Sequence, residues 1–131
     1  MWMTTDLASL MPLADTLGIS IDDATSDRVC GTMAWAAQLC TTGGLLHGGA
    51  LMALADSVGA VCAAMNLPPG AGTSTIESKT NFFRGVRSGV VTAVSSPLHV
   101  GRTTIVVQTD LTDDRGKRVA QVTQTQAVLA G

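Results

Sequence analysis

The segment from His47 to Met65 constrains the fold of this chain more than any other. It reads HGGALMALADSVGAVCAAM, it is the longest run of helix-forming residues in the sequence, and it is apolar on nearly every face. We expect a helix that is apolar all round to be buried on all sides, with the rest of the chain wrapped around it. Its only charged residue, Asp56, must then be paired, neutral or functional.

The segments on either side of this helix favour an α+β fold. Residues 5–17 predict a short helix, in which Pro12 is awkward and marks a break or a kink. Residues 19–24 and 28–35 predict two strands joined by a turn. Longer antiparallel strands, joined by short turns, are predicted after the helix at residues 73–83, 90–100, 103–112 and 117–129. An antiparallel sheet curled around the central helix accounts for this order of elements, in a single domain of residues 1–131.

Composition argues against several classes of protein. The 131 residues carry a net charge of -2, which leaves no basic surface for nucleic acid. Three cysteines without C-x-x-C spacing argue against a disulfide framework and a structural zinc site. The N-terminal segment lacks the pattern of a signal peptide, and Asp56 and Gly59 argue against a membrane span, so we expect a cytoplasmic protein without membrane contact. The hydrophobic content of 46% indicates that some apolar surface is buried against another subunit.

The start of the central helix carries the first candidate site. The first turn of a helix presents unpaired N–H groups and the positive end of the helix dipole. Gly48 and Gly49 have no side chains there, so an oxygen of a ligand can approach the backbone closely. This arrangement suits an oxyanion hole for a thioester or ester carbonyl, although a tight turn into the helix explains the two glycines more simply. His47 precedes them either as a catalytic base or, the interpretation we favour, as a cap that fixes the loop.

Asp56 is too far from these glycines to share a ligand with them in one chain. It lies eight residues after Gly48, and the helical rise separates the two by roughly 12 Å along the axis. A site that uses both groups therefore needs a second copy of the helix, running antiparallel in a dimer. The alternative is a structural Asp56 that bonds a neighbouring Ser or Thr.

Other catalytic motifs are absent from the sequence, while its arginines leave two interpretations open. There is no G-x-S-x-G nucleophile elbow, no P-loop and no dinucleotide fingerprint, and we expect neither a cofactor nor a metal. Arg84, Arg87 and Arg102 fall at the ends of predicted strands. They form either a solvated rim or a binding site for a phosphorylated ligand such as coenzyme A.

The segment around the helix start resembles a known family. The pattern L-L-H-G-G-A-L-x-A-L-A-D at residues 45–56 is similar to that of the hotdog-fold acyl-CoA thioesterases of the phenylacetate-degradation (PaaI) type and of the Arthrobacter-type 4-hydroxybenzoyl-CoA thioesterases. Weaker similarities follow at residues 75–84, 100–104 and 120–125. The resemblance implies a hotdog fold, in which an antiparallel sheet wraps around a long helix. It also implies homodimers with a continuous sheet, which usually form homotetramers.

The same resemblance implies a role for each candidate residue. Gly48 would supply the N–H of the oxyanion hole, and Asp56 of the partner subunit would act as the nucleophile or as the base that activates water. His47 would help to fix the loop, and Thr75 matches, within one position, a hydroxyl residue that assists in some members. The residues expected near the substrate and the coenzyme A phosphates are Gly49, Arg84, Arg87, Gly101 and Arg102.

One departure from the family pattern concerns Thr41. Members commonly carry Asn or Gln six residues before the His, where it orients the thioester or the water. This chain has Thr41 there, with a shorter reach, and Gln38 in the same loop is a candidate substitute. Loss of one orienting polar group often costs ~10²-fold or more in rate.

The leading hypothesis is hydrolysis of an acyl-CoA thioester. One alternative, which Thr41 favours, is a non-catalytic acyl-CoA-binding module. Another is a hotdog dehydratase or hydratase, which the family pattern argues against because those enzymes use a catalytic His with an acid. The residues expected to shape an acyl pocket are Met33, Trp35, Leu51, Met65, Phe82 and Phe83.

Overall fold

The computed structural model describes residues 10–131, and its elements follow the predicted order. The central helix and every strand begin and end within one residue of the predicted bounds, because their apolar periodicities are unambiguous. The loop before the central helix contains two short 3₁₀ turns, Ala37–Leu39 and Thr42–Gly44. The elements are α1 (Pro12–Thr16), β1 (Ser20–Ala24), β2 (Val29–Ala34), α2 (Gly48–Ala64), β3 (Gly72–Phe82), β4 (Val90–Val100), β5 (Thr104–Thr112) and β6 (Arg118–Leu129).

The six strands form one antiparallel sheet in the order β1-β2-β4-β5-β6-β3. Among the strands of residues 10–131, β3 lies at one edge and pairs only with β6, from Gly72 opposite Leu129 to Phe82 opposite Ala120. The segment after β3 therefore crosses the sheet to reach β4. The prediction of strands joined in sequence by short turns is confirmed for β4, β5 and β6, and it is wrong for β3 and β4.

Helix α2 packs along one face of this sheet and forms the core with it. Leu54, Val58 and Cys62 are fully buried against residues of the inner strands such as Ile105 and Leu111. The other face of the helix is open: Gly49 and Met52 are exposed, and Ala53, Asp56 and Ala60 are half-buried. The expectation that α2 is buried on all sides is therefore wrong for a single chain, because one sheet covers only one face of a helix. This arrangement, one antiparallel sheet with one long helix against it, is the hotdog fold that the sequence predicts.

Pro12 begins helix α1 instead of breaking it. It occupies the first helical turn, where the missing N–H has no intrahelical partner to lose. The start of the predicted helix, residues 5–9, lies outside the described part of the chain. None of the helices that the structure describes has the length and apolarity needed to cross a membrane.

Candidate active site

Asp56 lies half-buried on the open face of α2, and two side chains from the sheet hold one of its oxygens. Thr75 Oγ1, on β3, donates to Asp56 Oδ1 at 2.7 Å, and Gln124 Nε2, on β6, donates to the same atom at 2.8 Å. Within residues 10–131, no side chain or backbone group bonds Asp56 Oδ2. The carboxylate is therefore anchored through one oxygen, while the other can accept a proton or attack a carbonyl carbon.

Thr75 is in turn held by a second buried amide. Gln126 Nε2 donates to Thr75 Oγ1 at 2.8 Å. Because that N–H occupies the hydroxyl oxygen as an acceptor, the single proton of Thr75 is left for Asp56. The chain continues to Thr73, whose Oγ1 lies 3.1 Å from Gln126 Oε1 and 2.8 Å from the Ala127 carbonyl oxygen.

The two amides were missed by the sequence analysis, although β6 carries a signal for them. Residues of a strand alternate between two faces, and Val122, Gln124 and Gln126 share the buried face with 0% exposure each. A period of two counted from Val122 therefore places both amides in the core. Gly59 makes room for one of them, since a Cβ at that position would collide with Gln124 Oε1. The Gln124 Oε1 atom is buried and has no hydrogen-bond partner among the described residues.

His47 caps the first turn of α2. The Gly49 N–H donates to His47 Nδ1 at 2.7 Å, and the His47 N–H donates to the Leu39 carbonyl oxygen at 2.9 Å. His47 Nδ1 thus accepts the hydrogen bond that caps the helix, which agrees with the interpretation of His47 as a cap. The neighbouring Gly48 N–H makes no hydrogen bond to any other described group, so it remains available to a ligand.

Gly48 lines a cleft of about 300 Å³ together with Thr41, Leu51, Phe82 and Phe83. The Phe82 ring packs beside the glycine, where a Cβ would lie 3.2 Å from Phe82 Cζ. Three of the residues expected in an acyl pocket, Leu51, Phe82 and Phe83, thus line a cleft next to the candidate oxyanion donor.

The remaining residues expected in that pocket lie elsewhere. Met33 is 0% exposed inside the core, so the expectation is wrong for it. Trp35 Nε1 donates to the Gly44 carbonyl oxygen at 2.9 Å and pins the loop before α2. Met65 is packed against the core at the C-terminal end of the helix.

Thr41 and Gln38 open into different clefts. Thr41 donates its N–H to the Leu45 carbonyl oxygen at 2.8 Å and lines the cleft of Gly48. Gln38 lines a separate apolar cleft of about 370 Å³ that also contains His47 and Gly49. Within a single chain Gln38, in the first 3₁₀ turn, therefore does not share the cleft of Thr41 and Gly48.

Asp56 and Gly48 also line different clefts. The cleft at Asp56, about 240 Å³, is formed with Gly49, Met52, Thr75 and Ser78, and it doesn't include Gly48. This separation agrees with the distance expected from the helical rise. One chain thus presents each group openly but does not combine them.

The basic residues divide into two groups. Arg84 and Arg87 line a cleft of about 230 Å³ with the turn between β5 and β6, and Arg87 Nη1 donates to the Gly43 carbonyl oxygen at 2.9 Å. Gly101 and Arg102 lie in the turn between β4 and β5, at the far end of an 11-residue strand, which is roughly 30 Å away. Within a single chain the two groups therefore lie apart, and their place around one ligand stays a prediction for a site shared by two chains.

Among residues 10–131, Cys62 and Asp113 have displaced pKa values, and neither residue belongs to the site. Burial raises the pKa of the Cys62 thiol, and a hydrogen bond with Ser95 partly opposes this, so this thiol is protonated and unreactive at neutral pH. The N–H of Lys117 lowers the pKa of Asp113, which shapes the β5–β6 turn. Across residues 10–131 there is no group of three or more His, Cys, Asp or Glu side chains that could hold a metal.

Comparison with known proteins identifies the family. A family model described as the thioesterase superfamily matches residues 43–120, which is more than half of the chain and includes Gly48, Asp56 and Thr75. The chain belongs to the thioesterase superfamily. This thioesterase is 30% identical over 121 residues to the proofreading thioesterase EntH of Cronobacter turicensis, covering 92% of this chain and 88% of that one.

Two further relatives agree with the assignment. The thioesterase is 35% identical over 86 residues to the 1,4-dihydroxy-2-naphthoyl-CoA hydrolase of Escherichia coli, covering 66% of this chain and 63% of that one. It superposes on a mutant of thioesterase PA1618 from Pseudomonas aeruginosa with a TM-score of 0.92 and 31% identity, covering 98% and 94% of the two chains. These relatives support thioester hydrolysis as the activity of this chain.

Proposed function

We propose that this thioesterase hydrolyses an acyl-CoA thioester at a site shared by two subunits. Asp56 acts as the base or nucleophile, and the Gly48 N–H of the other subunit holds the oxyanion. The observation that carries the proposal is the state of Asp56, whose Oδ1 is fixed by two donors while Oδ2 has no partner within the described chain. The name of the E. coli relative, a CoA thioester hydrolase, supports coenzyme A as the thiol half of the substrate. The L-L-H-G-G pattern supports membership of the PaaI-type branch.

The sheet offers a way to bring two subunits together. β3 is a long edge strand, and a row of unpaired N–H and C=O groups along its free side is a template for another strand. Thr75 contacts Asp56 near the start of β3, and Phe82 contacts Gly48 at its end. An antiparallel pair of β3 strands centred near Ser78 sets the Thr75 end of one strand close to the Phe82 end of the other, and it thereby brings each Asp56 towards the Gly48 of the other chain. A homodimer is therefore the smallest active unit, and a homotetramer of two such dimers is compatible with the site.

The same pairing reunites the two groups of basic residues. In an antiparallel dimer the start of β3 lies against the end of the partner's β3, so Gly101 and Arg102 of one chain approach Arg84 and Arg87 of the other. Three guanidinium groups and Gly101 then surround one end of each site, where they suit the phosphates of coenzyme A.

The chemistry needs only groups of the protein and water. In one route, Asp56 Oδ2 takes a proton from water while the water oxygen attacks the thioester carbon, and the negative charge on the carbonyl oxygen is held by the Gly48 N–H and the helix dipole. Collapse of this intermediate breaks the C–S bond, and the thiolate takes up the proton to give free acid and coenzyme A. In the other route, Asp56 Oδ2 attacks the carbon, the thiolate leaves, and water hydrolyses the resulting anhydride. Neither route requires a metal or a cofactor, and both suit a cytoplasmic enzyme.

Thr41 supports one other candidate function, a protein that binds acyl-CoA without hydrolysing it. A threonine in the cleft of Gly48 has a shorter side chain than the Asn or Gln expected there, and a shorter side chain is less able to orient the attacking water. Calorimetric binding of an acyl-CoA with no release of free thiol would establish this second function.

Substitutions at Gly48 test the proposed function most sharply. Proline is accepted in the first position of a helix, and His47, at φ -63° and ψ 134°, has the extended conformation that must precede it. Gly48→Pro therefore removes the N–H with little change in fold, while Gly48→Ala adds the same Cβ and keeps the N–H. We expect Gly48→Pro to lose about 10²-fold or more in kcat, and Gly48→Ala to lose far less.

A mixing experiment tests the shared site. Asp56→Asn and Gly48→Pro are each expected to be inactive as homodimers. After the two proteins are unfolded and refolded together, a mixed dimer contains one site with both groups intact, so acyl-CoA hydrolysis returns. If the mixture stays inactive although mass spectrometry shows mixed dimers, the two groups do not share a site.

A further inference from the structure

We infer that Gln124 and Gln126 are positioning residues of this site: their amides orient the Asp56 carboxylate so that Oδ1 is engaged and Oδ2 is the atom that reacts. The inference rests on the proposed function, because it assigns the reacting oxygen of that same site. Neither residue touches substrate in the proposed reaction, so both act through Asp56.

The direction of the hydrogen bonds supports this role. Gln126 donates to Thr75, Thr75 donates to Asp56, and Gln124 donates to Asp56 directly. Two protons, one from Thr75 and one from Gln124, are thus directed at Asp56 Oδ1. Donors on one oxygen of a carboxylate hold its plane and leave the second oxygen for a proton or a carbonyl carbon.

The cost of burying these amides also supports it. Gln124 and Gln126 are fully buried, on a strand face where Val122 is the neighbour, and a buried amide is unfavourable unless its polar atoms are bonded. Gln124 Oε1 has no partner within the described chain. An apolar side chain would fill this space without that penalty, so stability alone does not explain a glutamine at position 124.

The helix is adapted to the same amide. Gly59 lies on α2 one turn beyond Asp56, and a Cβ there would collide with Gln124 Oε1. Glycine within a helix is itself unfavourable compared with alanine. Two local penalties therefore accompany the hydrogen bond from the Gln124 N–H to Asp56. Gln124 Oε1 is left unbonded, and a position within the helix is occupied by glycine.

Gln124→Met tests the inference, with Gln121→Met as the matched control. Gln121 lies on the same strand and also donates an amide N–H to a carboxylate, Asp110 Oδ1 at 3.0 Å, but far from Asp56 in register. We expect Gln124→Met to lower kcat by about tenfold or more with KM changed by less than about twofold, because the bond to a charged acceptor is lost while the substrate contacts stay. Gln121→Met should keep the kcat of the parent enzyme.

A further measurement separates positioning from a structural role, and a second variant covers a failure to fold. The thermal midpoint of Gln124→Met should equal or exceed that of the parent enzyme, since an unbonded buried oxygen is removed; a structural role predicts a lower midpoint. Should Gln124→Met fail to fold, Gln126→Met serves instead, with an expected loss in kcat of about threefold or more through the released Thr75 hydroxyl.

The outcomes are distinguishable from failure of the proposed function. If Asp56→Asn keeps full turnover, the proposed function itself is wrong. If Asp56→Asn is inactive while Gln124→Met and Gln126→Met both retain the parent kcat, the proposed function stands and the positioning role is overturned.

Discussion

A hydrogen bond of 2.7 Å between Thr75 Oγ1 and Asp56 Oδ1 ties the edge strand of the sheet to the open face of the helix. The two residues are 19 positions apart in the chain, and β3 is an edge strand of the sheet that residues 10–131 form. The bond thus connects the proposed reacting group to the surface through which the proposed dimer forms. A change in β3 that shifts the Thr75 hydroxyl is therefore expected to reach the carboxylate through this contact.

Thr75→Val removes this donor and should lower kcat. A hydrogen bond to a charged acceptor is worth about 1.5–3 kcal/mol, which corresponds to roughly tenfold to 100-fold in rate. Thr75→Ser keeps the hydroxyl and should stay close to the parent enzyme. Steady-state hydrolysis of an acyl-CoA, followed by the absorbance of the thioester, measures both.

Thr80→Val is the control for that change. Thr80 lies on the same strand, and its buried Oγ1 has no hydrogen-bond partner among the described residues. Its replacement should leave kcat unchanged and should not lower stability. Equal losses in Thr75→Val and Thr80→Val would show that the strand, and not the hydroxyl on Asp56, sets the rate.

Thr41→Gln is expected to raise kcat. Thr41 shares the cleft of Gly48, and its side chain is shorter than the Asn or Gln that the family pattern carries at this position. If orientation of the thioester or the water limits the reaction, a glutamine at this position should increase kcat by about tenfold or more. The measurement is kcat with saturating acyl-CoA, and Thr41→Leu, of similar bulk but without a donor, should not reproduce the increase. An unchanged kcat in Thr41→Gln would mean that Thr41 does not limit the reaction.

Much of the fold follows from local patterns in the sequence. The bounds of α2 and of the strands were predictable because apolar periodicity is a property of neighbouring residues. The order of strands was not, since the pairing of β3 with β6 joins residues such as Thr75 and Gln126, which are far apart in the chain. The open face of α2 was also hidden, because an all-apolar helix has the same sequence whether a sheet or a second subunit covers it.

The residues of the candidate site were likewise predictable only in part from the sequence. Gly48, Asp56 and His47 lie in one continuous segment, so their spacing alone predicts a helix start and a distant acid. A period of two counted from Val122 assigns Gln124 and Gln126 to the buried face of β6, but it does not show which groups they contact there. Only the register, which sets Gln126 opposite Thr75 and Gln124 opposite Ser78, shows that the two amides reach the helix.

The stability of the β5–β6 turn should depend on pH through Asp113. Its Oδ1 accepts the N–H groups of Lys117 and Arg115, each at 2.9 Å, and chiefly the Lys117 N–H lowers the pKa of this carboxyl below its ordinary range. A lowered pKa in the folded state stabilises the fold at pH values above the ordinary range of Asp, about 4. This contribution is lost as the pH falls through the lower folded value.

Urea unfolding of Asp113→Asn measures this contribution. Asparagine keeps the acceptor oxygen but not the charge, so the parent protein should be the more stable of the two at pH 6, and the difference should shrink steadily towards pH 2. Asp114→Asn, one residue further along the turn, is the control, and it should show no comparable trend. A difference between the parent protein and Asp113→Asn that is constant from pH 6 to pH 2 would contradict the assignment.

Ile76→Lys should separate the subunits and abolish activity together. Ile76 lies at the irregularity of β3 between Thr75 and Glu77, and its side chain is 60% exposed on the edge strand. A lysine there places a charge on the surface proposed to pair with another β3, and charged residues on an edge strand oppose such pairing. Sedimentation velocity should show a monomer at micromolar concentration, with a loss of acyl-CoA hydrolysis in proportion. Leu98→Lys, on interior strand β4 with a comparably exposed side chain of 57%, should leave the β3-paired dimer and its activity in place. A monomeric Ile76→Lys protein with full turnover would show that one chain contains a complete site.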